Sequence, residues 1–236
     1  MKNCVKICGI TSIDDAEMVL SFSNTQPEYL GFVFFEKSKR YISPENAKEI
    51  VEKIKQKFGE NRVKFVGVFV NIDLNNSEIF EEYKFLDVLQ LHGDNNFETP
   101  EFCAELQKTV QGAKNSYEKK REIWKAFRVK TQDDLKKISQ YFMVDSILID
   151  AFSEVTDEYG GSGKQVSLEL LPYLRSYLLL HQKLFIAGGI NNTNKDKILS
   201  LSGADGIDLS SSVEFSAGKK SEKKVQNLLF TSPQNV

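Results

Sequence analysis

The sequence predicts an α/β fold, a single (β/α)8 (TIM) barrel, on three observations: short β-branched or aromatic runs, amphipathic stretches between them, and a repeating spacing. The runs are Val5–Cys8, Tyr29–Phe34, Val63–Val70, Val88–Leu91, Ile123–Phe127, Ile147–Ile149, Leu184–Ala187 and Gly206–Leu209. They are short and mostly apolar, as strands of a helix-covered parallel sheet are. Eight runs over 236 residues give about 30 residues per unit, the size of a βα repeat. An open doubly wound sheet would share this pattern, because one sequence does not reveal strand order, but the count of eight fits a closed barrel best.

Taken in order, the first run ends at Cys8-Gly9, and Ser12 ahead of Ile13-Asp14-Asp15 offers an oxygen cap and early acids to a helix. The second leads to the basic cluster Lys37, Lys39 and Arg40. Ser43 before Pro44-Glu45 then opens the amphipathic stretch Ser43–Phe58. Runs three and four end at Asn71 and at Gln90, His92, Gly93 and Asp94, and Phe97–Val110 follows with helical periodicity. Gln111–Arg121 is polar and reads as a surface insertion. The fifth run ends at Arg128, after which Thr131 caps a helix expected over Asp133–Phe142. The sixth ends on Asp150. Ser167–His181 and Asn194–Leu201 are the last expected helices, and runs seven and eight end at Gly188-Gly189 and at Asp208 with Ser210–Ser212. No Pro-rich or Gly/Ser-rich linker divides the chain, so residues 1–236 are expected to form one domain.

Composition narrows the function. With 31 Lys plus Arg against 33 Asp plus Glu, the net charge of −2 argues against a nucleic-acid binder. No apolar run approaches the roughly 18 residues of a membrane span, and Lys6 and two acids interrupt the start of the chain, so neither a span nor a secretory leader is expected. Cys4, Cys8 and Cys103 with two histidines supply neither a disulfide framework nor a structural metal site. A reducing cytoplasm is the expected setting.

In a barrel the chemistry sits at the C-terminal ends of strands. Loops after strands seven and eight commonly bind phosphate through backbone amides, and Gly188, Gly189, Ser210 and Ser211 read that way or as plain turns. Gly160 to Lys164 is not a P-loop, since Glu158 replaces its first glycine and Gln165 its Ser or Thr; it reads as a lid over a substrate. Cys8 is a buried hydrophobe or a reactive thiol. Asp150 directly follows Ile147-Leu148-Ile149, and a buried carboxylate costs several kcal/mol unless paired or used. Arg40 is a solvated cation or an anion clamp, and His92 a structural or a functional histidine. Trp124 reads as core and His181 as a helix cap.

The strings Lys6-Ile7-Cys8-Gly9-Ile10-Thr11, Gly31–Phe34 with Lys37–Tyr41, Gly67–Asn71, Gln90–Gly93, Gly160–Lys164, Ala187–Asn191 and Asp208–Ser211 occur in this order. Together they resemble phosphoribosylanthranilate isomerase, a (β/α)8 barrel family of tryptophan synthesis, over roughly residues 5 to 230. The resemblance implies an Amadori rearrangement of a phosphorylated small molecule with no metal or organic cofactor. By matching position, Asp150 is the general acid, Cys8 the general base, and Arg40 the ligand of the anthranilate carboxylate. Gln90, His92 and Asp208 line the substrate pocket, Gly188, Gly189, Ser210 and Ser211 hold phosphate, and Gly161, Ser162 and Gly163 belong to the lid. The acid must hold a proton and the thiol must lose one near neutrality, opposite demands on groups whose solution values are about 3.9 and 8.5. The resembled chemistry thus requires the thiol to be pushed down, which a sequence does not show.

Two departures from the family pattern stand out. Ser212 replaces a glycine, and Ala151 replaces a threonine after the acid. Rival readings are a histidine-pathway isomerase acting on an aminoimidazole carboxamide ribotide, built on two aspartates, and a phosphate-binding barrel without catalysis. Cys8 and Arg40 favour the anthranilate substrate. Monomer and homodimer are both open from sequence.

Overall fold

The computed structural model describes residues 3–22, 27–72, 82–94, 96–111, 120–151 and 168–230. Eight parallel strands close in chain order: β1 (Cys4–Cys8), β2 (Tyr29–Val33), β3 (Lys64–Phe69), β4 (Val88–Leu91), β5 (Glu122–Val129), β6 (Ser146–Ala151), β7 (Lys183–Ile186) and β8 (Gly206–Leu209). Closure is made by β1 against β8, with Lys6 opposite Asp208. The described helices are α1 (Ile13–Ser21), α2 (Pro44–Phe58), α3 (Pro100–Gln111), α4 (Gln132–Ile138), α5 (Lys195–Ser202) and α6 (Glu222–Phe230). None among the described residues is long and apolar enough to cross a membrane.

The alternation of side chains along a strand sorts the core into two parts. One cluster inside the barrel gathers Tyr29, Val66, Val88, Trp124, Ala126, Leu148, Phe185 and Ala187. There Trp124 stacks on Phe185 at 4.4 Å and meets the edge of Tyr29 at 4.9 Å, so the tryptophan is core. The residues of opposite parity, such as Ile7, Leu30, Phe65, Leu89, Ile147 and Ile149, face the helices in the larger cluster. Helix starts follow their caps: Ser12, Ser43 and Thr131 accept from the backbone N–H of Asp15, Asn46 and Asp134, and Thr131 with Asp134 completes a capping box.

Three expectations need correction. The helix expected to reach Phe142 stops at Ile138, because the chain turns to bury Tyr141, whose ring lies 4.9 Å from that of Phe127 and whose hydroxyl donates to the Glu98 carbonyl. Within Ser167–His181 the described residues form a 3-10 helix, Leu171–Tyr177, that starts with Pro172 in its first turn and ends where Arg175 reaches Asp205 and the Gln182 carbonyl. His181 therefore lies beyond that helix in an exposed turn and does not cap it, the cap being Leu178. Finally, β8 runs into a 3-10 turn, Ser211–Val213, and an antiparallel hairpin of β9 (Glu214–Ser216) and β10 (Lys219–Lys220) before α6. Sequence periodicity gave no sign of this hairpin, whose arms are three and two residues long. Residues 112–119 of the expected insertion and Gly161, Ser162 and Gly163 of the expected lid lie outside the described residues.

Candidate active site

A pocket open to solvent lies at the C-terminal ends of the strands. Cys8, Arg40, Gln90, His92, Asp150, Gly188, Gly189, Asp208, Ser210 and Ser211 all line it, beside an apolar wall of Val33, Phe35, Val68, Val70, Ala187 and Ile190. Strand parity explains the grouping. On β1, β4, β6 and β8 the even-numbered residues point inward, so Cys8, Gln90, Asp150 and Asp208 converge on one axis although up to 200 residues separate them (208 − 8). Ser212 lines the pocket too, placing a side chain where the family pattern has none.

Cys8 is buried at the end of β1, opposite Gly31 of β2. A Cβ on Gly31 would lie 2.8 Å from Cys8 Sγ and 3.1 Å from Cys8 Cα, so only glycine lets the two strands meet around the thiol. Gly31→Ala should cost about 1–3 kcal/mol through overpacking against the backbone. An unchanged urea midpoint would contradict that packing.

The lowering that a thiolate base requires is not found in this pocket. Burial pushes Cys8 up, Lys6 and Lys220 pull it back, and Asp208 adds to the rise. Beneath it, the fully buried Lys6 ammonium donates to Asp208 Oδ2 at 2.9 Å. Burial alone would lower Lys6, but Asp208 and Cys8 hold it above its ordinary value. Asp208 Oδ1 is buried with no hydrogen-bond partner among the described residues, an acceptor left for a hydroxyl.

Across the pocket, His92 Nε2 lies 3.3 Å from Asp150 Oδ2. The pair is close enough to attract but too poorly aligned to count as a hydrogen bond. Gln90 Nε2 sits 3.5 Å from His92 Nδ1, at the outer limit of a bond, and Gln90 Oε1 is buried without a partner among the described residues. Each of these polar atoms lines a pocket wide enough for a ligand to complete it.

Arg40 is held more tightly than its basic cluster implied. Its Nε donates to Glu214 Oε1 at 2.9 Å and its Nη2 to Oε2 at 2.7 Å, a two-pronged fork. Glu214 also accepts from Lys220 Nζ at 2.8 Å, and that ammonium donates to the Cys8 carbonyl at 2.5 Å. Burial would raise Glu214, but its bonds to Arg40 and Lys220 hold it below the ordinary carboxylate range. Burial lowers Lys220 despite Glu214. The β9–β10 hairpin thus fixes the guanidinium against the end of β1.

After β7, Gly188 and Gly189 have φ of 82° and 62°, values that glycine adopts without strain. After β8, the turn Ser211–Val213 opens with N–H groups that helical bonding leaves over. β7 and β8 are paired neighbours, and Gly188, Gly189, Ser210, Ser211 and Ser212 after them all line the pocket. Among the described residues, no group of three or more His, Cys, Asp or Glu side chains is placed to hold a metal ion.

Sequence reasoning missed Lys6, Glu214 and Lys220 as parts of the site. A signal for Lys6 was present: it interrupts an apolar run at the same parity as Cys8. Glu214 and Lys220 carried none beyond their place in a charged tail.

Comparison with known proteins agrees with this geometry. The sequence profile described as N-(5'phosphoribosyl)anthranilate (PRA) isomerase matches residues 5–230. A protein from Acetivibrio thermocellus named N-(5'-phosphoribosyl)anthranilate isomerase is 36% identical over 220 residues, covering 93% of this chain and 91% of that one. The crystal structure of phosphoribosyl anthranilate isomerase from Thermotoga maritima superposes with a TM-score of 0.77 at 31% identity, covering 97% of each chain. A second crystal structure, of phosphoribosyl anthranilate isomerase in complex with reduced 1-(o-carboxyphenylamino)-1-deoxyribulose 5-phosphate, reaches 0.73 at 29% identity, again over 97% of each. The chain belongs to the N-(5'-phosphoribosyl)anthranilate isomerase family.

Proposed function

We propose that the pocket converts N-(5'-phosphoribosyl)anthranilate to 1-(2-carboxyphenylamino)-1-deoxyribulose 5-phosphate, the third step of tryptophan synthesis from chorismate. The observation that carries this reading is the meeting of one thiol and one carboxyl, Cys8 and Asp150, from opposite sides of the barrel in a pocket that also holds Arg40 and the Gly188, Gly189, Ser210 and Ser211 turns.

Asp150 gives its proton to the ribose ring oxygen as the C1–O bond breaks, and the anthranilate nitrogen lone pair forms the iminium at C1. That iminium acidifies the C2 hydrogen, which the Cys8 thiolate removes. The C–H electron pair becomes the C1=C2 bond, leaving a neutral enolamine. Ketonisation then moves the C2 hydroxyl proton away and places a proton on C1, so the net change is an isomerisation by proton transfers alone. His92, 3.3 Å from Asp150, helps to place the carboxyl. Arg40, pre-oriented by Glu214, meets the anthranilate carboxylate. Asp208 Oδ1 and Gln90 Oε1 accept from substrate hydroxyl or amine groups, and the glycine and serine turns hold phosphate. The protein acts in the cytoplasm as a one-domain barrel, alone or as a homodimer.

Loss of phosphoribosylanthranilate fluorescence, with the substrate generated in situ and EDTA present, tests the reading: the protein should consume it. A folded protein without turnover would overturn the assignment, and the aminoimidazole carboxamide ribotide would then be tried. Arg40→Ala should raise KM about 10- to 100-fold, the range of a charge-assisted bond of about 1.5–3 kcal/mol. Unchanged KM and turnover would remove Arg40 as the carboxylate ligand.

A further inference from the structure

We propose that Lys6 is the counter-ion of the Cys8 thiolate, a positioning residue one layer below the reacting sulfur, with Asp208 as the opposing charge that limits its pull. This deepens the reading of Cys8 as a base and rests on it.

The geometry has three parts. First, Lys6 and Cys8 are two residues apart on β1, so both point into the barrel and Lys6 lies one layer beneath the thiol. Second, the Lys6 side chain is fully buried, with no water to spread its charge, so its field acts on the nearest polarisable atoms. Third, its fixed anionic partner, Asp208, presents one oxygen to the lysine and keeps the other free of partners among the described residues. An ammonium held this way favours the anionic form of the sulfur above it, and Asp208 keeps the lysine protonated while it opposes the thiolate.

Other charged groups also face the thiol. Lys220 of β10 donates to the Cys8 carbonyl and is joined to Glu214 of β9, Arg40 packs beside Gly9, and His92 and Asp150 lie across the pocket. Lys220 and Arg40 share one carboxylate between them, which offsets much of their charge. Lys6 is the cation that shares the inward face of β1 with the sulfur, wholly buried beneath it.

Peptide-resolved alkylation of the full chain by iodoacetamide over a pH series reads thiolate directly, with Cys4 and Cys103 as internal references. Lys6→Met should slow alkylation of Cys8 by about tenfold or more near neutral pH, one unit or more of displacement, and move the alkaline-rising limb of kcat/KM to higher pH. Lys6→Arg, which keeps the charge, should restore part of the Lys6→Met loss, whereas Lys6→Gln, polar but neutral, should not. Recovery that follows charge is the mark of an electrostatic role, because a structural role would not sort the variants by charge. Equal rates in all variants, or recovery by Lys6→Gln as well, would overturn the proposal. If Lys6→Met does not fold, Lys6→Gln against Lys6→Arg decides. Alkylation uses no substrate, so a shifted thiol in a protein without turnover would sink the isomerase reading and leave the role of Lys6 standing.

Discussion

Asp150→Asn and Cys8→Ala should each lower kcat by a factor of about a hundred or more, close to 2.7 kcal/mol of transition-state stabilisation. Asparagine keeps the shape of the carboxyl and its place opposite Arg128 in the β5–β6 register, but it has no proton to give the ring oxygen. Alanine removes the sulfur and leaves the strand pairing of Cys8 with Gly31 intact. Because the lost groups act on bonds that change, kcat and kcat/KM should fall together, while affinity for a reduced product analogue stays close to that of the parent. Steady-state kinetics beside calorimetric binding of that analogue would check this. A variant that loses binding in step with turnover would move the residue from chemistry to substrate anchoring.

Lys125→Met should cost about 3–5 kcal/mol of folding stability, measured by urea unfolding. Lys125 and Glu98 have side chains with no solvent exposure and lie 2.8 Å apart, outside the barrel wall rather than in its lumen. The Glu98 carboxylate also accepts from the backbone N–H of Asn71 and Gly93, each at 2.9 Å, and Lys125 Nζ donates to the Gly93 carbonyl at 3.0 Å. One buried ion pair therefore ties the loops after β3 and β4 to β5 and holds the residue next to His92. Methionine would leave an uncompensated carboxylate in a dry site. Replacing both partners, as Lys125→Met with Glu98→Leu, should recover part of the loss, since no lone charge then remains; the two orphaned backbone N–H groups set the remainder. A cost under about 1 kcal/mol for Lys125→Met would mean that water reaches the pair.

Most of the barrel was legible because apolar alternation and strand length are local. Val88–Leu91 and Gly206–Leu209 match their strands residue for residue, and the other six runs differ by one or a few residues at their ends. Position at strand ends then brought Cys8, Gln90, His92, Asp150 and Asp208 to one pocket without any knowledge of spacing in space. The unread part is charge inside the fold. Lys6, Lys125, Glu98 and Lys220 read as surface residues by type, and only their partners, distant in sequence, make their burial tolerable. The state of the Cys8 thiol was not legible for the same reason: its field comes from Lys6, Asp208 and Lys220, and the net effect of burial and opposed charges has no sequence signature.

The links that dress the thiol and the clamp join the beginning of the chain to its end. Lys6 meets Asp208 across 202 residues, Lys220 meets Cys8 across 212, and Arg40 meets Glu214 across 174. Contacts of such separation carry the largest loop-closure cost and form after the local βα units have assembled. A refolding chain would thus regain helical signal before the seam between β1 and β8 shuts, and its thiol would remain an ordinary one until that moment. Recovery of turnover is then a clock for ring closure, and a half-built barrel, however helical, is chemically silent.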